Sequence, residues 1–151
     1  MNDEAKRDPE KLRDKLLEFA RQFPFFKLLG IELVDVRPRW AKTQLVIRPE
    51  LHNPSGVIHG GVTATLIDTT IAQSILMTDE YQAARDAQGT LSTIDLHVKY
   101  LRAARAGTLQ CEAEVIHLGK RVIHARAVLR DEQGKDIAMG DATLMIVLGR
   151  G

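Results

Sequence analysis

Residues 59–78 read HGGVTATLIDTTIAQSILMT, and the reading of this stretch decides the fold. Apolar side chains recur at helical spacing from about residue 61 to 77, and Val62, Leu66, Ile67, Ile71, Ile75 and Leu76 do not fit on one stripe. A helix that is apolar nearly all round belongs in an interior. The spacing therefore predicts a long central helix, buried by whatever surrounds it.

What surrounds it has a period of two. Downstream, Ile94, Leu96, Val98 and Tyr100 alternate with Thr93, Asp95, His97 and Lys99; Leu109, Cys111, Ala113 and Val115 alternate with Gln110, Glu112 and Glu114. Ile123, Ala125, Ala127 and Leu129 repeat the pattern against His124, Arg126 and Arg130, and residues 137–148 close the set after a hairpin turn at 131–135. Upstream, residues 31–36 and 41–47 read as two strands joined through Arg37–Pro38–Arg39. Before them, Leu12, Leu16, Leu17 and Ala20 mark an amphipathic helix over 9–21, and Phe23, Phe25 and Phe26 around Pro24 read first as core anchors. Residues 80–89 read as a polar, alanine-rich connection. The order is helix, two strands, long helix, four strands. Short connections make neighbours antiparallel, and a curved sheet wrapped around the helix satisfies every pattern at once.

Composition sets limits on function. The chain has 151 residues, 44% hydrophobic and 27% charged, which suits one soluble domain with a core of its own. A formal net charge of +1 offers no field for gripping nucleic acid or an acidic membrane. The single cysteine, Cys111, excludes an internal disulfide, fits a reducing compartment and reads as a small core residue. Residues 3–21 are charged throughout and show no secretory signal, and the apolar run at 60–78 is too polar at its middle to span a membrane. A cytoplasmic location is expected.

Between residues 51 and 78 the only fully charged side chain is Asp68. A carboxylate in a low-dielectric interior costs several kcal/mol unless paired or hydrogen-bonded. No Lys or Arg stands within a turn or two, and Ala64, Thr65 and Ala72 leave space before the carboxylate, as a substrate site needs. The competing reading is structural: a bond with a hydroxyl such as Thr65, or an ion pair across the fold. At the helix start, His59–Gly60–Gly61 exposes backbone N–H groups at the positive end of the dipole, a ready oxyanion hole unless it is merely the turn that starts the helix. Gly60 and Asp68 are about 12 Å apart along one helix, too far to share one thioester carbonyl. Either one of them is irrelevant, or the site joins Asp68 of one subunit to the Gly60 turn of another.

Asn53–Pro54–Ser55–Gly56–Val57–Ile58–His59–Gly60–Gly61 with Ala64–Thr65–Leu66–Ile67–Asp68 resembles the signature of hot-dog thioesterases, nearest to the phenylacetyl-CoA thioesterase (PaaI-like) branch. The resemblance runs from about residue 26 to 147 and includes Thr93–Ile94–Asp95–Leu96, Tyr100–Leu101–Arg102 and the Gly119–Lys120–Arg121 turn. It implies an α+β hot-dog fold of five to six strands around one long helix, over residues 26–151, with 1–25 as an N-terminal helical segment. It implies a homodimer joined edge to edge, commonly paired again into a tetramer. In similar enzymes the helix carboxylate, here Asp68, is nucleophile or general base, and Gly60 supplies an oxyanion N–H from the partner subunit. Asn53 orients the thioester or water, His59 shapes the turn, and Thr93 lies near the carboxylate. CoA, as part of the substrate and with no separate cofactor, lies along Tyr100, Arg102, Gly119, Lys120 and Arg121. Two departures stand out: Ala103 where many relatives have proline, and His97 where asparagine is frequent.

Other classes fit less well. The five histidines lack metal-ligand spacing, so no metal is expected. No G-x-S-x-G elbow is present for a serine hydrolase. A hot-dog dehydratase or hydratase uses a catalytic histidine in a helix motif not apparent here. A non-hydrolytic acyl-CoA binder gains nothing from a carboxylate it must desolvate.

Overall fold

The computed structural model describes residues 8–149, so residues 1–7 of the expected N-terminal segment and residues 150–151 of the expected domain lie outside the described part. Helix α1 is Pro9–Gln22. The Asp8 carboxylate caps it by accepting the N–H groups of Glu10 at 3.0 Å and Lys11 at 3.4 Å, and Pro9 sits where the first turn has no bond to lose. The Arg13 guanidinium donates to Asp35 at 2.7 Å and ties α1 to the sheet.

After Pro24 the chain forms a second short helix, α2 (Pro24–Leu29), ended by Gly30 in the left-handed region at φ 76°. Of the three rings expected as core, only Phe26 is buried; Phe23 and Phe25 remain 36% and 41% exposed. Adjacent helical positions are rotated by about 100° from one another, so a helix this short presents only one of its rings to the core.

Six strands follow: β1 (Ile31–Arg37), β2 (Trp40–Val46), β3 (Thr90–Tyr100), β4 (Thr108–Leu118), β5 (Val122–Arg130) and β6 (Asp136–Val147). They form one antiparallel sheet in the order β1-β2-β4-β5-β6-β3, which places β1 and β3 at its edges. The long helix is α3 (Gly60–Ile75), and it touches all six strands, so the sheet curves around it as expected. The stretch expected as a connection holds a further helix, α4 (Asp79–Asp86), capped by the Thr78 hydroxyl, which accepts the Tyr81 N–H. Its Glu, Gln, Ala and Arg residues have enough helix propensity for that cap to nucleate them.

The core lies between α3 and the inner face of the sheet. Leu66, Ile67, Ile71 and Ile75 are fully buried against Leu45, Leu109, Ile123, Leu129 and Leu144, each large side chain contributing roughly 1.5–3 kcal/mol. A methyl at Gly140 would stand 2.7 Å from Ile67, so glycine is what lets α3 approach β6 this closely. The hydroxyls of Thr43 and Thr70 bond each other at 2.6 Å inside this core. Burial pushes the nearby Cys111 thiol up to about 12, the Thr70 hydroxyl only partly opposing it, so Cys111 is the inert core residue that was expected.

One expectation is corrected. The buried positions of α3 are Thr63, Leu66, Ile67, Thr70, Ile71, Ser74 and Ile75, a single stripe. The opposite side, with Ala64, Thr65, Asp68 and Ala72, is only partly covered, and Gly61 is exposed. One curved sheet offers one concave face, and its six strands leave this side of the helix open.

Candidate functional site

Asp68 projects from the open side of α3, half-buried, and the Thr93 hydroxyl donates to its Oδ1 at 2.8 Å. Thr65 is not the partner: its hydroxyl back-bonds to the Gly61 carbonyl at 2.8 Å. Neither does any cation pair with Asp68 among the described residues. Thr93 fixes one carboxylate oxygen, and Oδ2 has no donor among the described residues.

Thr93 reaches α3 because of an irregularity in β3. The register runs Thr93↔Leu144 and then Asp95↔Thr143, so Ile94 is an extra residue, 55% exposed. Such a bulge shifts the alternation by one. Leu91 and Thr93 before it therefore share the helix side with Leu96 and Val98 after it. Strict alternation had placed Thr93 on the same face as Asp95, His97 and Lys99.

At the start of α3 the turn is tightly determined. The His59 ring caps the helix, its Nδ1 accepting the Gly61 N–H at 2.8 Å, which requires Nδ1 to be unprotonated. Just upstream, Asn53 Oδ1 accepts the N–H groups of Ser55 at 2.9 Å and Val57 at 3.3 Å. Only the oxygen can accept, so the Asn53 amide orientation is settled, and its NH2 has no hydrogen-bond partner among the described residues. Gly56, at φ 72°, closes this loop.

A second segment clasps the loop from outside. The Ile58 N–H donates to the Ala104 carbonyl at 2.8 Å, and His52 Nε2 lies 2.9 Å from the Arg105 carbonyl. The Arg105 guanidinium donates to the carbonyls of Ser55 at 3.2 Å and Gly56 at 3.4 Å. This is the loop that departs at Ala103, and backbone bonds plus Arg105 hold it without the ring of a proline. Neither Arg105 nor His52 stands out in the sequence, since a guanidinium aimed at carbonyls about 50 residues away leaves no pattern.

The remaining candidates fall into two groups. Tyr100 ends β3 and donates its hydroxyl to the Gly60 carbonyl at 3.0 Å, while Arg102 follows with its N–H on the Ile137 carbonyl. Gly119, Lys120 and Arg121 form the turn between β4 and β5, where the Arg121 carbonyl accepts the Ile146 N–H. Ile137 and Ile146 stand near opposite ends of β6, about 30 Å apart at strand rise. Within one chain Arg102 therefore sits at the Gly60 end, and the Gly119–Lys120–Arg121 turn sits beyond Thr93 at the Asp68 end.

His97 and Lys99 face away from α3. They line a hollow of about 710 Å3 on the outer face of the sheet with Glu114, Arg126 and Met139, and neither Asp68, Asn53 nor Gly60 borders it. His97 lies 3.2 Å from Asp95, and His124 Nδ1 lies 3.0 Å from the Thr143 hydroxyl. No group of three or more metal-ligating side chains converges among the described residues. No helix among them is long and apolar enough to cross a membrane.

Comparison with known proteins agrees with this fold. The profile of the thioesterase superfamily matches residues 55–138, more than half of the chain. The medium/long-chain acyl-CoA thioesterase YigI of Escherichia coli is 28% identical over 140 residues, covering 85% of this chain and 88% of its own. Human acyl-coenzyme A thioesterase 13 is 29% identical over 137 residues, covering 89% and 93%. A solved Shewanella oneidensis protein related to the thioesterase superfamily superposes with a TM-score of 0.77 at 30% identity, over 91% of this chain and 97% of that one.

Proposed function

The chain belongs to the thioesterase superfamily, and from that premise we propose that it hydrolyses an acyl-CoA thioester to a carboxylic acid and free CoA. The observation that carries the reading is Asp68: a carboxylate on the uncovered side of α3, held through one oxygen by Thr93 and free at the other. The free oxygen either takes a proton from water as water attacks the carbonyl carbon, or attacks that carbon itself to give an anhydride that water then opens. In both routes the C–S bond breaks and the CoA thiolate leaves to take up a proton.

The oxyanion forms on the carbonyl oxygen, and the Gly60 N–H at the positive end of α3 supports it. Asn53 offers its NH2 to the thioester or to water. Because Gly60 and Asp68 of one chain are too far apart to meet one carbonyl, the site draws Asp68 and Thr93 from one subunit and Asn53, His59 and Gly60 from the other. The basic groups divide in the same way. A two-fold axis that brings the Gly60 end of one subunit to the Asp68 end of its partner also brings Tyr100 and Arg102 toward the partner's Gly119–Lys120–Arg121 turn, so that CoA runs between them. The exposed edge of β3 supports a homodimer joined edge to edge, paired again into a tetramer. We assign residues 26–151 to the thioesterase domain, working in the cytoplasm, with the N-terminal helix as an extension.

The test is release of free thiol from a panel of aryl- and alkyl-CoA thioesters. Turnover of at least one is expected. Tight binding of acyl-CoA with no thiol released from any would overturn the reading in favour of a non-hydrolytic acyl-CoA binder.

A further inference from the structure

Gly60 carries two contacts that helix initiation does not need. The Tyr100 hydroxyl donates to its carbonyl at 3.0 Å, across a sequence separation of 40 residues. The same ring covers the glycine itself: a Cβ built there would lie 3.3 Å from Tyr100 Cε1 and 3.5 Å from the hydroxyl oxygen. Tyr100 is nonetheless 58% exposed in the single chain, so burial in its own core does not explain its placement. A tyrosine placed for packing alone would be covered and would spend its hydroxyl on the nearest available partner.

Position along β3 adds to this. The strand touches α3 by hydrogen bond twice, through Thr93 to Asp68 and through Tyr100 to Gly60. The first α3 carbonyl has one lone pair for its helical donor four residues on, and the Tyr100 hydroxyl takes the other. Fixing that carbonyl and confining the Cα beneath the ring removes the rocking freedom of a Gly–Gly helix start. That carbonyl shares its peptide with the Gly61 N–H, which His59 Nδ1 accepts, so β3, the edge strand that also holds Asp68, pins the Gly60 Cα from which the Gly60 N–H projects.

We propose that Tyr100 is a positioning residue for catalysis: by holding the Gly60 carbonyl and covering its Cα, it keeps in place the turn that presents the Gly60 N–H to the oxyanion. This rests on the reading that Gly60 serves the oxyanion. It adds a role for Tyr100 to the place beside CoA that the resemblance implies, and Tyr100→Phe keeps the ring that would serve there. A residue acting in this way changes the rate of the chemical step and leaves substrate affinity nearly unchanged.

The experiment uses Tyr100→Phe, which keeps the ring and removes the donor, with steady-state kinetics on the best acyl-CoA of the panel and amide hydrogen exchange over residues 61–64. The expected result is a kcat lower by about three- to tenfold, the scale of one neutral hydrogen bond, a KM within about twofold of the parent, and faster exchange at Gly61 and Ala64. A raised KM with kcat intact overturns the proposal and leaves Tyr100 a CoA contact. Unchanged kinetics together with unchanged exchange overturn it as well. If the parent protein releases no thiol from any substrate, the hydrolytic reading fails separately, and the exchange rates alone then decide whether Tyr100 holds the turn.

Discussion

The two sides of α3 carry a single charge between them, Asp68, and do different things. One side carries Leu66, Ile67, Ile71 and Ile75, all fully buried in the sheet. The other carries Ala64, Thr65, Asp68 and Ala72, small or polar and partly open in a single chain. Burial on the first side supplies the free energy that holds the helix in place. The second side gives only part of its surface to the chain's own core, against which Ala72 packs, and it leaves the Asp68 carboxylate half-buried. A helix that is apolar or small nearly all round is thus covered fully by its own chain on one side and only partly on the other.

Substitutions that separate the two sides test the comparison. The largest effect is expected on the closed side, where Ile71→Ala should cost about 2–5 kcal/mol of folding stability, because the hole it leaves has no solvent to fill it. Chemical denaturation measures this, and a loss under 1 kcal/mol would mean that the stripe is not close-packed. Next, on the open side, Asp68→Asn should lower hydrolysis at least ~100-fold while the melting temperature stays near that of the parent. Near-normal turnover would remove Asp68 from the mechanism. Thr93→Ala should be milder, about tenfold in kcat, since the carboxylate remains but loses the donor that orients it.

The smallest effect lies away from both sides, at the pin between α1 and β1. Partial burial raises the Asp35 carboxyl, but the Arg13 hydrogen bond, the Val36 N–H and the charges of Arg13 and Arg37 together outweigh it and hold the group below its ordinary value. A carboxyl depressed in the folded state stabilises at pH above its unfolded value and loses that contribution as pH falls through the folded one. The difference in melting temperature between the parent and Arg13→Ala should therefore be present near neutrality and shrink below about pH 4. A gap that grows in acid would contradict the assignment.

Much of this was legible in the sequence, for identifiable reasons. Alternation marks strands wherever one face is buried, so the four downstream strands show plainly. Asp68 shows because a lone charge in an apolar run has no ordinary explanation. The open side of α3 does not show, because hydropathy records that a side chain seeks cover and is silent on how complete that cover is. Thr93 could be assigned to Asp68 only by resemblance. Its facing depends on the Ile94 bulge, a matter of register with β6, and the nearer hydroxyl, Thr65, was the local choice. Helix α4 was missed because its polar and alanine-rich composition also suits a linker.

The central claim is that one site is built from two chains, and subunit mixing tests it most directly. Asp68→Asn and Asn53→Ala proteins, each nearly inactive alone, are combined, allowed to exchange subunits and assayed. Random re-pairing makes half the dimers mixed, each with one intact site, so activity should recover to about a quarter of the parent value. A mixture whose subunits have exchanged, yet which stays as inactive as either variant, would contradict the shared site and return Asp68 and the Gly60 turn to a single chain.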